Sequence, residues 1–134
     1  MADRIALEAG IEGRQEVVVS ERTSARAMGS GELAVLATPE MVALVEEAAW
    51  RSVAPALEEG QGTVGTSMTL AHTAPTPLGM RVVARTTLVE VDGRRLVFEW
   101  ECSDERGQVG RGTHERFVVA SERFQQKADA KLEG

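Results

Sequence analysis

Residues 38–57 constrain the fold of this chain more than any other stretch. Thr38-Pro39-Glu40 reads as a helix start: the threonine can cap the first free amides, the proline suits the first helical position, and the glutamate favours the positive end of the helix dipole. The helix is predicted to run to about Leu57, with Gly60 and Gly62 ending it. In between come Met41, Val42, Ala43, Leu44, Val45, Ala48, Ala49, Trp50, Val53 and Ala54, so apolar side chains extend almost all the way round. A helix of that kind has to be covered on most sides, and the rest of the chain must supply the cover.

After the helix the hydrophobic period changes to two. Residues 63–73 alternate, which predicts a strand with Val64, Thr66, Met68, Leu70 and His72 on one face. Pro75, Pro77 and Gly79 make a turn, and Met80 to Val91 is a second long strand. Asp92-Gly93 is a strong two-residue hairpin signal leading into Arg94 to Ser103, and Gln108 to Ala120 is the last strand. Before the helix, Gln15 to Ser20 reads as a short strand and residues 21–37 as a long loop, of the kind that serves as a lid or binding loop. The order is therefore strand, buried helix, then a meander of four strands. This is an α+β pattern in which one antiparallel sheet wraps one central helix, the hotdog arrangement.

Composition sets the outer limits. A chain of 134 residues at 43% hydrophobic content fits one domain over residues 1–134, able to bury roughly two-thirds of its unfolded surface. A formal net charge of −6 leaves no general basic footprint for nucleic acid. One cysteine, Cys102, cannot form an internal disulfide, which suggests a reducing, cytoplasmic location. No run approaches the ~20 apolar residues of a membrane span. Residues 1–13 carry Asp3, Glu8 and Glu12 and read as a flexible leader rather than a secretory signal, and residues 121–134 read as a polar C-terminal helix or tail.

Few side chains can carry chemistry. Glu47 has Arg51 four residues on, the favourable order for a solvated pair. Glu46 instead has Val42 four back and Trp50 four on, and a carboxylate on that apolar face is costly without a partner or a task, unless the helix simply rolls to expose it. His72 shares its predicted face with Met68 and Leu70 near a strand end, where both a hydrogen-bonded core histidine and a site residue are found. Thr38 is explained as a cap, yet the same helix end offers a positive dipole to an oxyanion. Two histidines and one cysteine show no zinc spacing, and neither a Gly-x-Ser-x-Gly elbow nor a phosphate-binding glycine loop is present. Gly110 and Gly112, inside a strand, read as a bulge or a close backbone approach.

The run TPEMVALVEEAAWRSVAPALEEGQGTVGTSMTLAHTAPTPLGM and the later VDGRRLVFEWECSDERGQVGRGTHERFVV resemble the fluoroacetyl-CoA thioesterase family, from about Thr38 to Val119. The motifs TPEMVALVEE, GTSMTLAHTA and GTHER fall in the family's order. The resemblance implies a hotdog fold, a homodimer or higher oligomer with its site at the interface, and hydrolysis of a short acyl-CoA thioester, with no metal or cofactor beyond the CoA of the substrate. It implies a catalytic set of Thr38, Glu46 and His72 and substrate contacts from Gly65 and Arg116. Glu46 is then the base or covalent nucleophile, His72 moves protons and Thr38 polarises or positions. The alternative is a hotdog protein that binds acyl-CoA or another apolar ligand without turnover. Arg81, Arg85, Arg94 and Arg95 could meet CoA phosphates, though a solvated strand face explains most of them. One departure lies upstream: residues 29–37 (GSGELAVLA) have no aromatic where the fluoroacetate-specific enzyme has lid phenylalanines. Leu33, Val35 and Leu36 then imply size-based selection by a loop made mobile by Gly29 and Gly31.

Overall fold

The computed structural model describes residues 5–134. Six strands form one antiparallel sheet: β1 (Glu12–Val18), β2 (Gln61–Met68), β3 (Ala71–His72), β4 (Arg81–Asp92), β5 (Arg95–Asp104) and β6 (Gly107–Ala120), in the order β1-β4-β5-β6-β2, with β3 also on β6. Helix α1 (Ala25–Met28) is a single turn, α2 (Thr38–Val53) lies across the inner face of the sheet, and α3 (Ser121–Asp129) follows β6. The helix-in-sheet arrangement is the one predicted. The hairpin turn falls on Gly93-Arg94, with Gly93 at φ 62°, and the C-terminal helix is present and exposed.

The core forms in two clusters along α2. Met41, Leu44 and Val45 pack with Val82, Trp100 and Val109, while Ala49 and Val53 pack with Leu88, Leu96 and Phe98. These helix positions recur at three- and four-residue steps, so the buried surface is a broad stripe. The expected burial nearly all round is not reached in a single chain: Ala43 is exposed and Trp50 is 40% exposed, with the Arg51 guanidinium 4.7 Å from the Trp50 ring. Small residues set the approach of sheet and helix. A side chain at Gly13 would collide with the Ala48 carbonyl, one at Gly110 with the Met41 sulfur, and one at Gly112 with the Thr69 carbonyl. At Gly112 this is the close backbone approach read from the sequence, whereas at Gly110 the close neighbour is the Met41 side chain.

Three predicted details differ. Of the leader expected over residues 1–13, residues 1–4 lie outside the described residues. Beyond them Gly10 N–H donates to the Leu88 carbonyl at 2.8 Å, and Leu7 and Ile11 pack against the second cluster, so this part is docked. The loop over residues 21–37 contains a 3-10 turn (Glu21–Thr23) and α1. The strand over residues 63–73 is broken into β2 and β3 and carries a bulge between Gly65 and Ser67. The bulge reverses the alternation. Thr63 and Gly65 face α2 before it, and Met68, Leu70 and His72 face inward after it, so Val64 and Thr66 do not share their face.

Candidate active site

Two groups of the side chains singled out above lie along α2. The first is at its N-terminus. Ala37, not Thr38, takes the capping position, with extended backbone (φ −72°, ψ 139°), and its carbonyl accepts from the Glu40 and Met41 amides at 3.1 Å each. Alanine has no side chain with which to cap, and Thr38, one residue inside, turns its hydroxyl elsewhere. Thr38 Oγ1 lies 2.7 Å from His72 Nδ1. His72 is set there by β3, whose two residues pair with Arg111 and Gly110 of β6. Burial pushes its pKa below the ordinary histidine value, with the Ala74 backbone opposing, so the ring is neutral near pH 7 and carries one N–H. In one tautomer Thr38 donates to Nδ1; in the other Nδ1–H donates to Thr38. Either way Nε2 is buried and has no hydrogen-bond partner among the described residues.

A cleft of about 320 Å³ opens beside this pair, lined by Ser30, Val35, Leu36, Thr38, His72 and Pro75. The upstream segment that borders it is tied down. Val35 bridges to Pro77 and Ser24 to Leu36; the Leu36 amide donates to Thr76 O and the Ala37 amide to Thr23 O, both at 2.9 Å. Of the three aliphatic side chains expected to form a lid, Leu36 is 1% exposed and belongs to the core, Val35 borders the cleft and Leu33 is 68% exposed. The backbone bonds make this a pinned loop rather than the mobile one inferred from Gly29 and Gly31.

The second group centres on Glu46, eight residues further along α2 and so about 12 Å along its axis. Arg116, 5% exposed on β6, is held from below by Thr63: Nε donates to Thr63 Oγ1 at 2.8 Å and Nη2 to Thr63 O at 3.0 Å. Its Nη1 donates to Glu46 Oε2 at 3.4 Å and lies 3.1 Å from His114 Nε2. Burial lowers the Arg116 pKa from its ordinary value, with Glu46 opposing, and a guanidinium remains charged throughout. Gly65 lies beneath the carboxylate. A Cβ there would stand 2.6 Å from Glu46 Oε2 and 3.2 Å from Arg116 Nη1, so only glycine leaves the carboxylate its place. Glu46 keeps a 42% exposed side chain above a buried cation. Glu47, its neighbour, pairs with Arg51 at 2.8 Å as predicted.

The structure thus brings Thr38 to His72, and Glu46 to Gly65 and Arg116, but does not join the two groups within one chain. Arg116, expected to touch substrate, has four of its five N–H groups directed to Thr63, His114 and Glu46 and faces the carboxylate. Two of the four strand arginines are occupied too, Arg81 by Glu16 and Arg95 by Glu90 and Glu115. His114 was missed by the sequence reading. The signal was its place two residues before Arg116 on the same strand face, inside GTHER.

A family model described as fluoroacetyl-CoA-specific thioesterase matches residues 18–122, the span that holds both groups. The chain belongs to that family. The fluoroacetyl-CoA thioesterase of Streptantibioticus cattleyicolor, a relative, is 43% identical over 97 residues, 72% of this chain and 70% of that protein. A solved structure of the fluoroacetyl-CoA thioesterase superposes with a TM-score of 0.87 at 37% identity, covering 95% of this chain and 98% of that one. A hot-dog-like protein of Thermanaerovibrio acidaminovorans, 24% identical, superposes with a TM-score of 0.85 over 94% of this chain and 93% of its own. That likeness bears on the fold alone, which is the hotdog fold.

Proposed function

We propose that the chain hydrolyses a short acyl-CoA thioester to the free acid and CoA. The observation that carries this reading is that the segment matched to the thioesterase family holds a hydroxyl–imidazole pair at the start of α2 and an arginine-held carboxylate two turns along it. A thioester carbonyl is electrophilic and a thiolate leaves readily, so the reaction needs a nucleophile, an oxyanion site and a proton. Glu46 supplies the first. Either its carboxylate attacks the carbonyl carbon, giving a mixed anhydride as the C–S bond breaks and water then hydrolyses it, or it takes the proton of a water that attacks directly. Thr38 and the positive end of α2 stand by the developing oxyanion, and His72, neutral at rest, relays a proton: it takes one from the hydrolytic water and returns it to the CoA thiolate. These groups suffice without a metal or a cofactor beyond the CoA of the substrate.

The distance between the two groups argues for a homodimer. A nucleophile must approach the carbonyl to about 3–3.5 Å, and about 12 Å of helix separates Glu46 from Thr38. β2 is an edge strand beside Glu46, and an edge with unpaired backbone groups is a ready place for a second copy. The open α2 face with Ala43 and Trp50 lies on the same side of the requirement: it is apolar and uncovered. In this reading an isologous pair sets Thr38 and His72 of one protomer against Glu46 of the partner subunit. A cytoplasmic location fits Cys102, a buried free thiol whose pKa burial pushes up to about 12. Among the described residues, no helix is long and apolar enough to cross a membrane.

Thiol release from a panel of acyl-CoAs tests the proposal. With Val35 and Leu36 bordering the cleft and no aromatic wall, one methylene is worth about 1–3 kcal/mol. Several short or branched acyl groups should therefore turn over, and kcat/KM for fluoroacetyl-CoA and acetyl-CoA should differ by less than about tenfold. A preference of about 10⁴-fold, roughly 5.5 kcal/mol, would overturn the specificity reading. Binding of acyl-CoA with no thiol release from any member would favour the non-catalytic alternative, which no feature of the site otherwise supports.

A further inference from the structure

His114 is one of two histidines in the chain, is 2% exposed, and takes no part in the mechanism above. It stands on β6 opposite Phe98 of β5 and Met68 of β2, with the Phe98 ring 6.1 Å away and tilted by 31°. Its two nitrogens have unlike neighbours, and these fix its state. Nδ1 lies 2.8 Å from the Ser67 carbonyl, which can only accept, so Nδ1 carries the hydrogen. Nε2 lies 3.1 Å from Arg116 Nη1, which can only donate, so Nε2 offers a lone pair. Only the neutral Nδ1–H tautomer satisfies both.

The geometry around Arg116 gives that tautomer a consequence. Thr63 binds Nε and Nη2 and fixes the plane of the guanidinium. Nη1 has two hydrogens. One goes to His114, and the other is left for Glu46 Oε2 at 3.4 Å. Without an acceptor at Nε2, one Nη1 hydrogen is left buried with no partner, Nη1 is held only through the two Thr63 bonds and the long contact to Glu46, and the pocket floor at Gly65 has no side chain to replace the lost acceptor.

We propose that His114 is a positioning residue for hydrolysis: as the neutral Nδ1–H tautomer it anchors Arg116 Nη1, and through that one atom it aims the Glu46 carboxylate. The proposal deepens the thioesterase reading and rests on Glu46 being the reacting carboxylate. The charged groups around His114 are Glu46 on α2, Arg116 beside it on β6, and Glu115 on the opposite face of β6. Burial, aided by Arg116 and opposed by the Ser67 carbonyl and the two carboxylates, keeps the ring neutral below the ordinary histidine range. A ring that did take a second proton would set N–H against N–H at Arg116.

The test uses the full-length protein and the variants His114→Leu, which keeps bulk and removes both hydrogen bonds, and His114→Gln, whose amide offers a donor and an acceptor. In steady-state thiol release His114→Leu should lower kcat by about 10- to 100-fold, with a much smaller change in KM, as expected for a misaimed reacting group. His114→Gln should recover most of kcat and flatten any loss of kcat between pH 6.5 and 5. Folded His114→Leu with unchanged kcat would overturn the proposal. The wild-type ring provides a readout that depends neither on activity nor on a folded variant: its ¹⁵N shifts should report the neutral Nδ1–H form at pH 7. An Nε2–H or doubly protonated ring there would also overturn it. If wild-type protein released no thiol from any acyl-CoA while the ring showed Nδ1–H, the thioesterase reading would fail, and the role assigned to His114 in hydrolysis would fall with it.

Discussion

The two ends of the working stretch of α2 are built on opposite principles. At Thr38 a single hydrogen bond joins hydroxyl to imidazole, and the far nitrogen of His72 is buried with nothing to bond. Around Glu46 the buried groups are all committed: Thr63 holds Arg116 twice, His114 holds it once, Ser67 holds His114, and the one remaining hydrogen of Nη1 meets the carboxylate. A buried polar atom without a partner costs about 1–3 kcal/mol, and a buried charge without one costs several. The chain tolerates the first cost at the helix end and avoids the second at its middle. The sparse end is the place for something that arrives and leaves. The wired end holds a charge that must not move.

The most severe way to break this contrast is to remove the groups proposed to react. Glu46→Gln and His72→Ala should each lower thiol release by at least ~10²-fold and leave the fold intact by circular dichroism. Glu47→Gln, which loses only a surface pair, should stay within about twofold of wild type. A silent Glu46→Gln beside an inactive Glu47→Gln would invert the assignment of helix faces.

Mixing sharpens it next. If the sparse end of one protomer works with the wired middle of its partner, Thr38→Ala and Glu46→Gln proteins are each inactive alone. Unfolded together and refolded, they form heterodimers in which one site carries both substitutions and the other carries none. Random pairing then returns about a quarter of wild-type activity. No recovery, with heterodimers verified by mass, would mean that the two groups act within one chain.

The smallest effect is on stability against pH. Burial lowers the pKa of both His72 and His114 in the folded protein. Below an ordinary histidine pKa of about 6.5 the unfolded chain therefore binds more protons than the folded one, so stability falls as pH drops and levels off below the folded values. Tm should decline from pH 6.5 to 5. His114→Gln should remove more of that decline than His72→Gln, because His114 is 2% exposed and His72 only half-buried. A flat Tm across this range would show that neither ring resists protonation.

Much of this was legible in the residues. Thr38-Pro39-Glu40 marked the helix start to within one position, because proline and the acidic first turn act locally; the shift of the cap to Ala37 depends on His72 drawing the threonine hydroxyl away. Asp92-Gly93 marked the hairpin for the same local reason. What depended on contacts between distant segments was not legible. Gly65 inside the strand was the one local hint of an extra residue, and simple alternation, which passes over it, put Val64 and Thr66 on the wrong face. Leu36 looked like a lid residue because its burial depends on Val19, Met41 and Val82. His114 gained its meaning only once the register set Ser67 on one side of it and Arg116 on the other.

Thr66 acts like an inserted letter in a sentence read two at a time. Upstream of it the strand is read in one frame, which presents Thr63 and Gly65 to the carboxylate; downstream it is read in the other, which presents Met68, Leu70 and His72 to the core and the helix start. Were the same sequence paired without that bulge, strict alternation could turn Thr63 and Gly65 to the carboxylate, or Met68, Leu70 and His72 to the core and the helix start, and the strand would serve the middle of the helix or its beginning but no longer both.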